Sequence, residues 1–250
     1  MRKIVYVSVI LCFISIIISK KSLAQVVNRD SSSQQNAFNN AVTLYYSSIG
    51  KQAGIFNGTE YNLYDPLIKG NAYFSDVNAF TPGSVYYDGA FYKNVPMLYD
   101  IYIDEVVALL YNHYSMYTLI KEKVAGFNFL NHHFVNINSD TSGSNSNLKS
   151  GFYDQLYAGK CEILIKREKN IQSSVGAGTA PEDYFRGNTK WFLRKNNIYY
   201  SFGGQGSLLK LLVDRKKELK QYIRSNQIKF QDKPEEAMVQ IVSFYDHLTK

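Results

Sequence analysis

The stretch "GSVYYDGAFYKNVPMLYDIYIDEVVALL", Gly83 to Leu110, decides the fold class. Asp88-Gly89 favours a two-residue β-hairpin turn, because both positions tolerate positive φ. From Val95 onward the side chains alternate with period two, as in a β-strand with a core side. One face holds Val95, Met97, Tyr99, Ile101 and Ile103, and the other holds Pro96, Leu98, Asp100, Tyr102 and Asp104. The stretch therefore predicts an antiparallel hairpin, and a first strand is expected before it, near Ala72 to Ser75.

Three acidic residues interrupt this run: Asp100, Asp104 and Glu105. The alternation places Asp100 and Asp104 on the solvent side of one strand, about 13 Å apart. The two carboxyl groups of a glycosidase lie about 5 to 9.5 Å apart, so Asp100 and Asp104 are not expected to form such a pair. Glu105 breaks the alternation, which indicates a bulge or the end of the strand.

Two further hairpins are predicted in the second half of the chain. "FYDQLYAGKCEILIKREK" indicates a turn at Ala158-Gly159, and "KWFLRKNNIYYSF" indicates a turn at Asn196-Asn197. Cys161 alternates with Ile163 and Ile165, so it is expected on the buried face of a strand as an inert thiol.

Helical periodicity appears on both sides of the predicted sheet. Apolar residues recur at spacings of three and four from Phe38 to Ile49, which predicts an N-terminal helix. Residues 207–250 predict two or three helices, the last with Pro234 in its first turn and a capping box of Asp232 and Glu235. The expected fold is therefore α+β and mainly β: an antiparallel, hairpin-built sheet, open-barrel-like or sandwich-like, with an N-terminal helix and two or three C-terminal helices. Charges on several strand faces and the amphipathic C-terminal helices argue against the competing architecture, a transmembrane barrel.

The N-terminus has the layout of a secretory signal peptide. Two basic residues precede fifteen uncharged residues, Ile4 to Ile18, and small residues stand first and third before Gln25. This layout predicts a signal peptide over residues 1–24, a polar leader over 25–35 and a single β-rich domain over 36–250. The alternative is an uncleaved anchor, for which the apolar run is short, because a spanning helix needs about 20 apolar residues. The protein is thus expected to be exported to the periplasm or the outer membrane surface, and not to be an integral membrane protein after cleavage.

Loss of the signal peptide changes the charge balance. The chain has 28 Lys and Arg against 21 Asp and Glu; four of the basic residues and no acidic residue lie in residues 1–24, which leaves 24 against 21. A surface that binds nucleic acid needs a larger and more clustered positive charge. Nucleic acid is therefore not expected as a partner.

The histidines and the common catalytic motifs give little support for an enzyme. His132 and His133 are adjacent, and adjacent residues on a strand point to opposite faces, so their imidazoles are not expected to converge on one metal ion. Neither a GxSxG nor an HExxH pattern occurs in the chain. We therefore predict no metal, no cofactor and no catalytic residue.

Four phrases of the chain carry a resemblance. "IFNGTEYNLY", "GSVYYDGAFYKNVPMLYDIYIDEVV", "GFYDQLYAGKCEILIKREKNI" and "SLLKLLVDRKKELKQYIRSNQIKF" together span most of the predicted mature chain. With these phrases the chain resembles a family of exported, uncharacterised bacterial envelope proteins. The resemblance implies a single shared architecture and supplies no activity, substrate or catalytic residue.

Two functions of different classes fit these observations. The first is a non-catalytic binding or assembly module of the envelope, whose candidate partners are an envelope protein, a glycan or a lipid. Its ligand-binding residues would be exposed aromatic side chains, which offer large rigid contact areas: Tyr86, Tyr87, Tyr92, Tyr102 and Tyr153. The alternative is an envelope hydrolase acting on a glycan or peptide. In that case Asp100, Asp104 or Asp154 would supply the acid and His132 or His133 the base, and an acid within about 3 Å of a histidine in a cleft would favour this alternative.

Overall fold

The computed structural model describes residues 54–138, 148–174 and 181–249, with a few single positions between residues 36 and 45. Within these residues, eleven β-strands form one open antiparallel sheet followed by helices, so the expected α+β, mainly β class is confirmed. The predicted signal peptide, the polar leader and most of the predicted N-terminal helix lie outside the described residues.

The sheet is built almost entirely from neighbours in the sequence. Its strands are β1 (Gly58–Glu60), β2 (Thr81–Tyr87), β3 (Ala90–Asp100), β4 (Glu105–Leu109), β5 (Met116–Leu119), β6 (Val124–Phe129), β7 (His132–Ile137), β8 (Gly151–Ala158), β9 (Glu162–Ser174), β10 (Glu182–Lys195) and β11 (Ile198–Phe202). Their order is β1-β5-β4-β3-β2-β6-β7-β8-β9-β10-β11. Short connections between adjacent antiparallel strands explain this order.

Two of the three predicted turn positions are confirmed. Asp88 and Gly89 connect β2 to β3 with φ values of 50° and 78°, and Asn196 and Asn197 connect β10 to β11 with φ values of 53° and 60°. Positive φ at both central residues matches the right-handed twist of the flanking strands. The third turn lies one residue later than predicted: Ala158 still belongs to β8 and pairs with Glu162, so the connection consists of residues 159–161.

Two predicted strand positions are wrong. β3 ends at Asp100 and does not continue to Asp104, because the Asp100 Oδ1 atom accepts hydrogen bonds from the amides of Tyr102 (2.9 Å) and Ile103 (3.2 Å) and so stabilises a turn. Ala72 to Ser75 is not the first strand: Phe74–Asp76 forms a 3₁₀ helix, and the first strand in the described residues is β1.

Two apolar cores cover the inner face of the sheet. The first contains interlocking aromatic rings, among them Tyr99, Phe127, Phe134 and Phe152, with Phe74 packed on them at 5.2 Å from the Phe134 ring. The second core includes Cys161, Ile163, Ile165 and Leu193 and packs against the C-terminal helices. Strands β2 to β8 therefore surround an aromatic core, while β9 to β11 serve as a platform for helices.

Three α-helices follow the sheet in the described residues: α1 (Gln205–Leu211), α2 (Lys216–Ser225) and α3 (Pro234–Leu248). Pro234 occupies the first turn of α3, as predicted, but the expected capping box is wrong. The N-cap is Lys233 and not Asp232, and an ammonium group cannot accept a hydrogen bond from the backbone, while Glu235 accepts hydrogen bonds from Arg167 on β9. None of the helices in the described part of the chain is long and apolar enough to span a membrane.

The turn between β3 and β4 lies against β9. The Lys169 amide donates a hydrogen bond to the Ile101 carbonyl at 3.0 Å, and the segment before β2 bridges the same region, with the Ile101 amide bonded to the Ala72 carbonyl at 3.0 Å. This contact brings side chains from distant parts of the sequence together.

Candidate functional site

Asp100 is fully buried, so the expectation that it faces solvent is wrong. Its Oδ2 atom accepts hydrogen bonds from the hydroxyls of Tyr61 (2.8 Å) and Tyr64 (2.7 Å). Burial raises the pKa of both hydroxyls, and Asp100 adds to the effect, so the tyrosines stay protonated and act as donors. Asp100 therefore organises the β3–β4 turn and its covering segment.

Asp104 follows that turn and is a shared counter-ion. Its Oδ1 atom accepts hydrogen bonds from the Tyr99 hydroxyl (2.6 Å) and lies 2.7 Å from the Lys166 ammonium. Its Oδ2 atom accepts from the Lys121 ammonium (2.6 Å) and the Phe152 amide (3.2 Å). Both carboxylate oxygens are thus engaged, and two lysines share one negative charge.

A cavity of about 390 Å³ opens beside this ion cluster. Its walls come from the β3–β4 turn, from the connection between β5 and β6, from the segment directly before β8, and from β9 and β10. We call it the lysine cavity, and its lining residues are Ile101, Tyr102, Asp104, Lys121, Lys149, Ser150, Lys166, Glu168, Lys169, Asn170 and Asn188.

The lysine cavity carries excess positive charge. Lys169 pairs with Asp76 at 2.6 Å, and Glu168 pairs with Lys190 at 2.6 Å, so the charges of both lining residues are balanced. Among the described residues no acid pairs with the Lys149 ammonium. Within the part of the chain that the structure describes, Lys121, Lys149 and Lys166 have Asp104 as their one acidic counter-ion, which leaves about two uncompensated positive charges.

Lys166 is the most buried of these lysines, with 8% of its side chain exposed. Burial lowers the pKa of its ammonium group, although Asp104 opposes the shift. The ammonium also donates to the Phe152 carbonyl at 3.0 Å and lies 5.2 Å from the centre of the Tyr153 ring. An anion that approaches a desolvated cation of this kind stabilises it, because the pair replaces part of the lost interaction with water.

Gly151 and Tyr153 allow this packing at the start of β8. Gly151 has φ of +143°, and a Cβ atom there would lie 2.7 Å from the Lys166 Nζ atom and would overlap the Asp104 carboxylate. The Tyr153 hydroxyl donates to the Lys149 carbonyl at 2.8 Å and accepts from the Lys149 amide at 3.1 Å. These two hydrogen bonds fix the backbone of Lys149 at the cavity.

A separate ion network lies on the inner face of the sheet. The Asp154 carboxylate is buried and contacts His132 Nδ1 (2.8 Å) and Arg167 Nη2 (2.5 Å). Arg167 also pairs with Glu235 at 3.0 Å, while Phe74 packs against His132 with the ring centres 4.9 Å apart. The network ties α3 to the sheet. It also contains the acid and histidine contact that the hydrolase alternative requires, so acids and histidines are not all kept apart by strand geometry.

The same residues resemble a metal-ligand set. His132, Asp154 and Glu235 each offer one ligand atom, and these atoms lie within 4.8 Å of one another. Arg167, however, donates hydrogen bonds to both carboxylates and supplies the positive charge between them. The arrangement is therefore an ion-pair network in which a guanidinium takes the place that a cation would need.

His133 lies on the other side of β7, as the strand alternation predicts. Its Nδ1 atom lies 2.7 Å from the Asn128 Oδ1 atom, whereas His132 contacts Asp154. The prediction that the two imidazoles do not converge is confirmed for this pair.

The tyrosines predicted as exposed ligand-binding residues divide into two groups. Tyr86 and Tyr102 are exposed, by 38% and 40%. Tyr87, Tyr92 and Tyr153 are buried, so the expected exposure is wrong for these three. Tyr87 and Tyr92 belong to the first core, and Tyr153 belongs to a smaller cluster with Leu148, Leu164 and Phe192. Tyr102 lines the lysine cavity and Tyr86 stacks on Phe91, and a role of either in ligand binding remains a prediction.

Cys161 is buried in the second core, as predicted, but it lies directly before β9 and not within a strand. Burial, with a contribution from Asp246, raises the pKa of its thiol to about 12. A thiol with so high a pKa forms little thiolate at neutral pH, which agrees with an inert residue.

The lysines of the cavity are not among the site residues predicted from the sequence. Lys121, Lys149 and Lys166 come from separate connections and strands, and the packing of the β3–β4 turn on β9 brings them together. The sequence contains one indication of Lys166. It follows Leu164 by two residues in a strand, so the lysine shares a face with a side chain that is buried.

Comparison with protein-family models, with curated proteins and with solved structures found no match. The resemblance to exported envelope proteins therefore remains an expectation, and function has to be argued from the geometry of the site.

Proposed function

We propose that the protein is an exported, non-catalytic binding module of the cell envelope that binds an anionic ligand in the lysine cavity. The observation that supports this most is the convergence of Lys121, Lys149 and Lys166 around one carboxylate, Asp104. Such a cluster costs free energy through repulsion between like charges, and an anion that enters the cavity would relieve this repulsion.

The other lining residues suggest what the ligand carries besides its negative charge. Ser150, Asn170 and Asn188 offer neutral hydrogen-bonding groups. Tyr102 forms an aromatic wall, with the Phe185 ring 5.6 Å away. The volume of about 390 Å³ falls within the usual range for small-molecule sites. A carboxylate, sulfate or phosphate group on a small polar body, such as a sugar acid, fits this chemistry.

Binding is favoured over catalysis at this cavity. General acid-base catalysis needs a group that can exchange a proton with the substrate. Asp104 is the acid closest to the lysines, and its carboxylate oxygens are already engaged by Tyr99, Lys121, Lys166 and the Phe152 amide. It is therefore better suited to hold the lysines in place than to act as a base.

The proposal is tested by titrating the protein with glucuronate and with inorganic phosphate in a calorimeter. We expect at least one of these anions to bind, and Lys121→Gln to weaken its binding about tenfold or more, which corresponds to about 1.4 kcal/mol. Lys220→Gln is the matched control, because Lys220 is exposed on α2 and lies outside the cavity. Absence of binding by both anions, or equal effects of the two substitutions, would contradict the proposal.

A second candidate function, an envelope hydrolase, is favoured by one observation: the contact of 2.8 Å between His132 Nδ1 and Asp154 Oδ2. In that case His132 would act as the base and Asp154 would orient it. The commitment of Asp154 to Arg167 argues against it. Release of sugar or peptide fragments from isolated cell-envelope material by the protein, lost in His132→Gln, would establish this candidate in place of the binding module.

A further inference from the structure

A second cavity, of about 580 Å³, opens on the outer face of β2, β3 and β6 and shares no lining residue with the lysine cavity. We call it the amide groove after the asparagines in its lining. The residues that give it its chemical character are Ser84, Phe91, Lys93, Asn94, Asn128 and Asn131.

The polar side chains of the amide groove are oriented by one another. Ser84 on β2 pairs with Asn128 on β6, which pairs with His133 on β7, so the three lie in one row across the sheet. The Asn128 Nδ2 atom donates to the Ser84 hydroxyl at 3.0 Å, and the Asn128 Oδ1 atom lies 2.7 Å from His133 Nδ1. Fixed amide and hydroxyl groups of this kind offer donors and acceptors to a ligand without a large entropic cost.

Irregular backbone brings two further amides to the groove. The pairing of β2 with β3 shifts register between Gly83 and Val85, which leaves an extra residue on β3 near Asn94, whose φ is 54°. Such a bulge redirects side chains at the surface of a sheet. Asn131, with φ of 64°, stands in the turn between β6 and β7.

An aromatic surface borders these amides. The ring centres of Phe91 and Tyr86 lie 4.4 Å apart, with an angle of 31° between the rings, and Tyr86 is 38% exposed. The groove contains no carboxylate among its described lining residues, and the ammonium of Lys93 donates to the Asn40 side chain at 2.8 Å. Lys93 is thus the one charged side chain in the described lining of the groove, whereas several ionic groups line the lysine cavity, and the other polar groups of the groove are neutral amides and hydroxyls.

We propose that the amide groove is a binding site for a neutral oligosaccharide. The carboxamide of asparagine presents a donor and an acceptor side by side, which matches neighbouring hydroxyl groups of a sugar ring. The C–H face of the ring packs on an aromatic side chain, where it buries apolar surface. A volume of about 580 Å³, three asparagines in the lining and an aromatic surface beside them fit a chain of several sugar rings.

The experiment is a titration of the full mature chain with cellohexaose and with maltohexaose, followed by ligand-observed NMR and calorimetry. We expect one of the two to bind and Tyr86→Ala to weaken its binding about tenfold, because the apolar contact with the ring is lost. Tyr114→Ala is the control, since Tyr114 is 87% exposed in the turn between β4 and β5 and lies outside both cavities.

A second variant in the groove and a variant in the lysine cavity distinguish binding at the two sites. Asn128→Ala is expected to weaken binding of the same oligosaccharide, whereas Lys121→Gln is expected to leave its affinity unchanged. Failure of both oligosaccharides to bind would overturn the amide-groove proposal, as would equal affinities of Tyr86→Ala and Tyr114→Ala for the oligosaccharide. Neither result would bear on the proposal for the lysine cavity. Loss of oligosaccharide binding in Lys121→Gln would also overturn the amide-groove proposal, since the ligand would then occupy the lysine cavity.

Discussion

At the scale of single residues, tyrosine hydroxyls recur as hydrogen-bond donors to carboxylates. Tyr61 and Tyr64 donate to Asp100, and Tyr99 donates to Asp104. Burying a charged group without partners costs much free energy. A carboxylate can be buried when its oxygens accept hydrogen bonds, as they do from these tyrosines. The tyrosines contribute both apolar volume and these donors, which explains how a sheet with so many aromatic residues also buries acids.

Asp100→Ala is expected to destabilise the protein by about 3 kcal/mol, because it removes the acceptor of the buried Tyr61 and half-buried Tyr64 hydroxyls and the contacts that stabilise the turn. Denaturant unfolding of both proteins measures the change. Glu122→Gln is the control: Glu122 is exposed, and its substitution should change the free energy of unfolding by less than about 0.5 kcal/mol. Equal stabilities of the two variants would contradict a structural role of Asp100.

Lys166 predicts a pH dependence of anion binding. Burial lowers the pKa of its ammonium below the ordinary 10.5. The protonated form attracts the anion, so affinity should fall as the pH rises from neutrality and should do so before pH 10.5 is reached. Calorimetric titrations with glucuronate at increasing pH measure this, and Lys166→Met should show weaker binding with a flatter pH dependence. An affinity that increases with pH would show that Lys166 does not contribute.

At the scale of secondary-structure elements, the turns could be predicted and the strand ends could not. Asp88-Gly89 and Asn196-Asn197 act through their own backbone preferences, which are visible in the sequence. The end of β3 depends on Asp100 and on tyrosines 36 and 39 residues away. The position of such a partner is not encoded in local periodicity.

Gly89→Ala tests the β2–β3 turn. Gly89 has φ of +78° with open space around its Cα atom, so the added methyl group meets no neighbour and the cost is that of the backbone conformation alone. We expect a loss of about 1 kcal/mol in the free energy of unfolding. Gly187→Ala, on β10, also meets nothing and has no positive φ, so it should be neutral or slightly stabilising. The reverse order of stabilities would contradict the turn assignment.

The attachment of α3 to the sheet makes a second prediction at this scale. Arg167→Met should cost about 3 kcal/mol or more, because it leaves the buried Asp154 carboxylate without its guanidinium partner. Glu235→Gln should cost less than about 1 kcal/mol, since 36% of the Glu235 side chain is exposed. Thermal unfolding distinguishes these values, and similar losses in both variants would argue against Asp154 as the centre of the network.

At the scale of the whole molecule, the fold class, the hairpins and the C-terminal helices could be predicted from periodicity and turn residues. The candidate sites could not, because each is assembled from strands and turns far apart in the sequence. Lys121 and Lys166 meet only when the β3–β4 turn packs on β9, and Ser84, Asn128 and His133 align only through strand register. Alternation distinguishes an inner from an outer face, but it does not reveal that segments outside the sheet also cover part of the outer face, as at Tyr153.

The most direct test of the lysine cavity is an NMR titration of the protein with isotope-labelled lysine, observed at the Cε methylene signals, with glucuronate as the ligand. The account predicts saturable shifts of the signals of Lys121, Lys149 and Lys166, with Lys220 unchanged. Parallel, non-saturating shifts of all lysine signals, or no shift at the three cavity lysines, would contradict it.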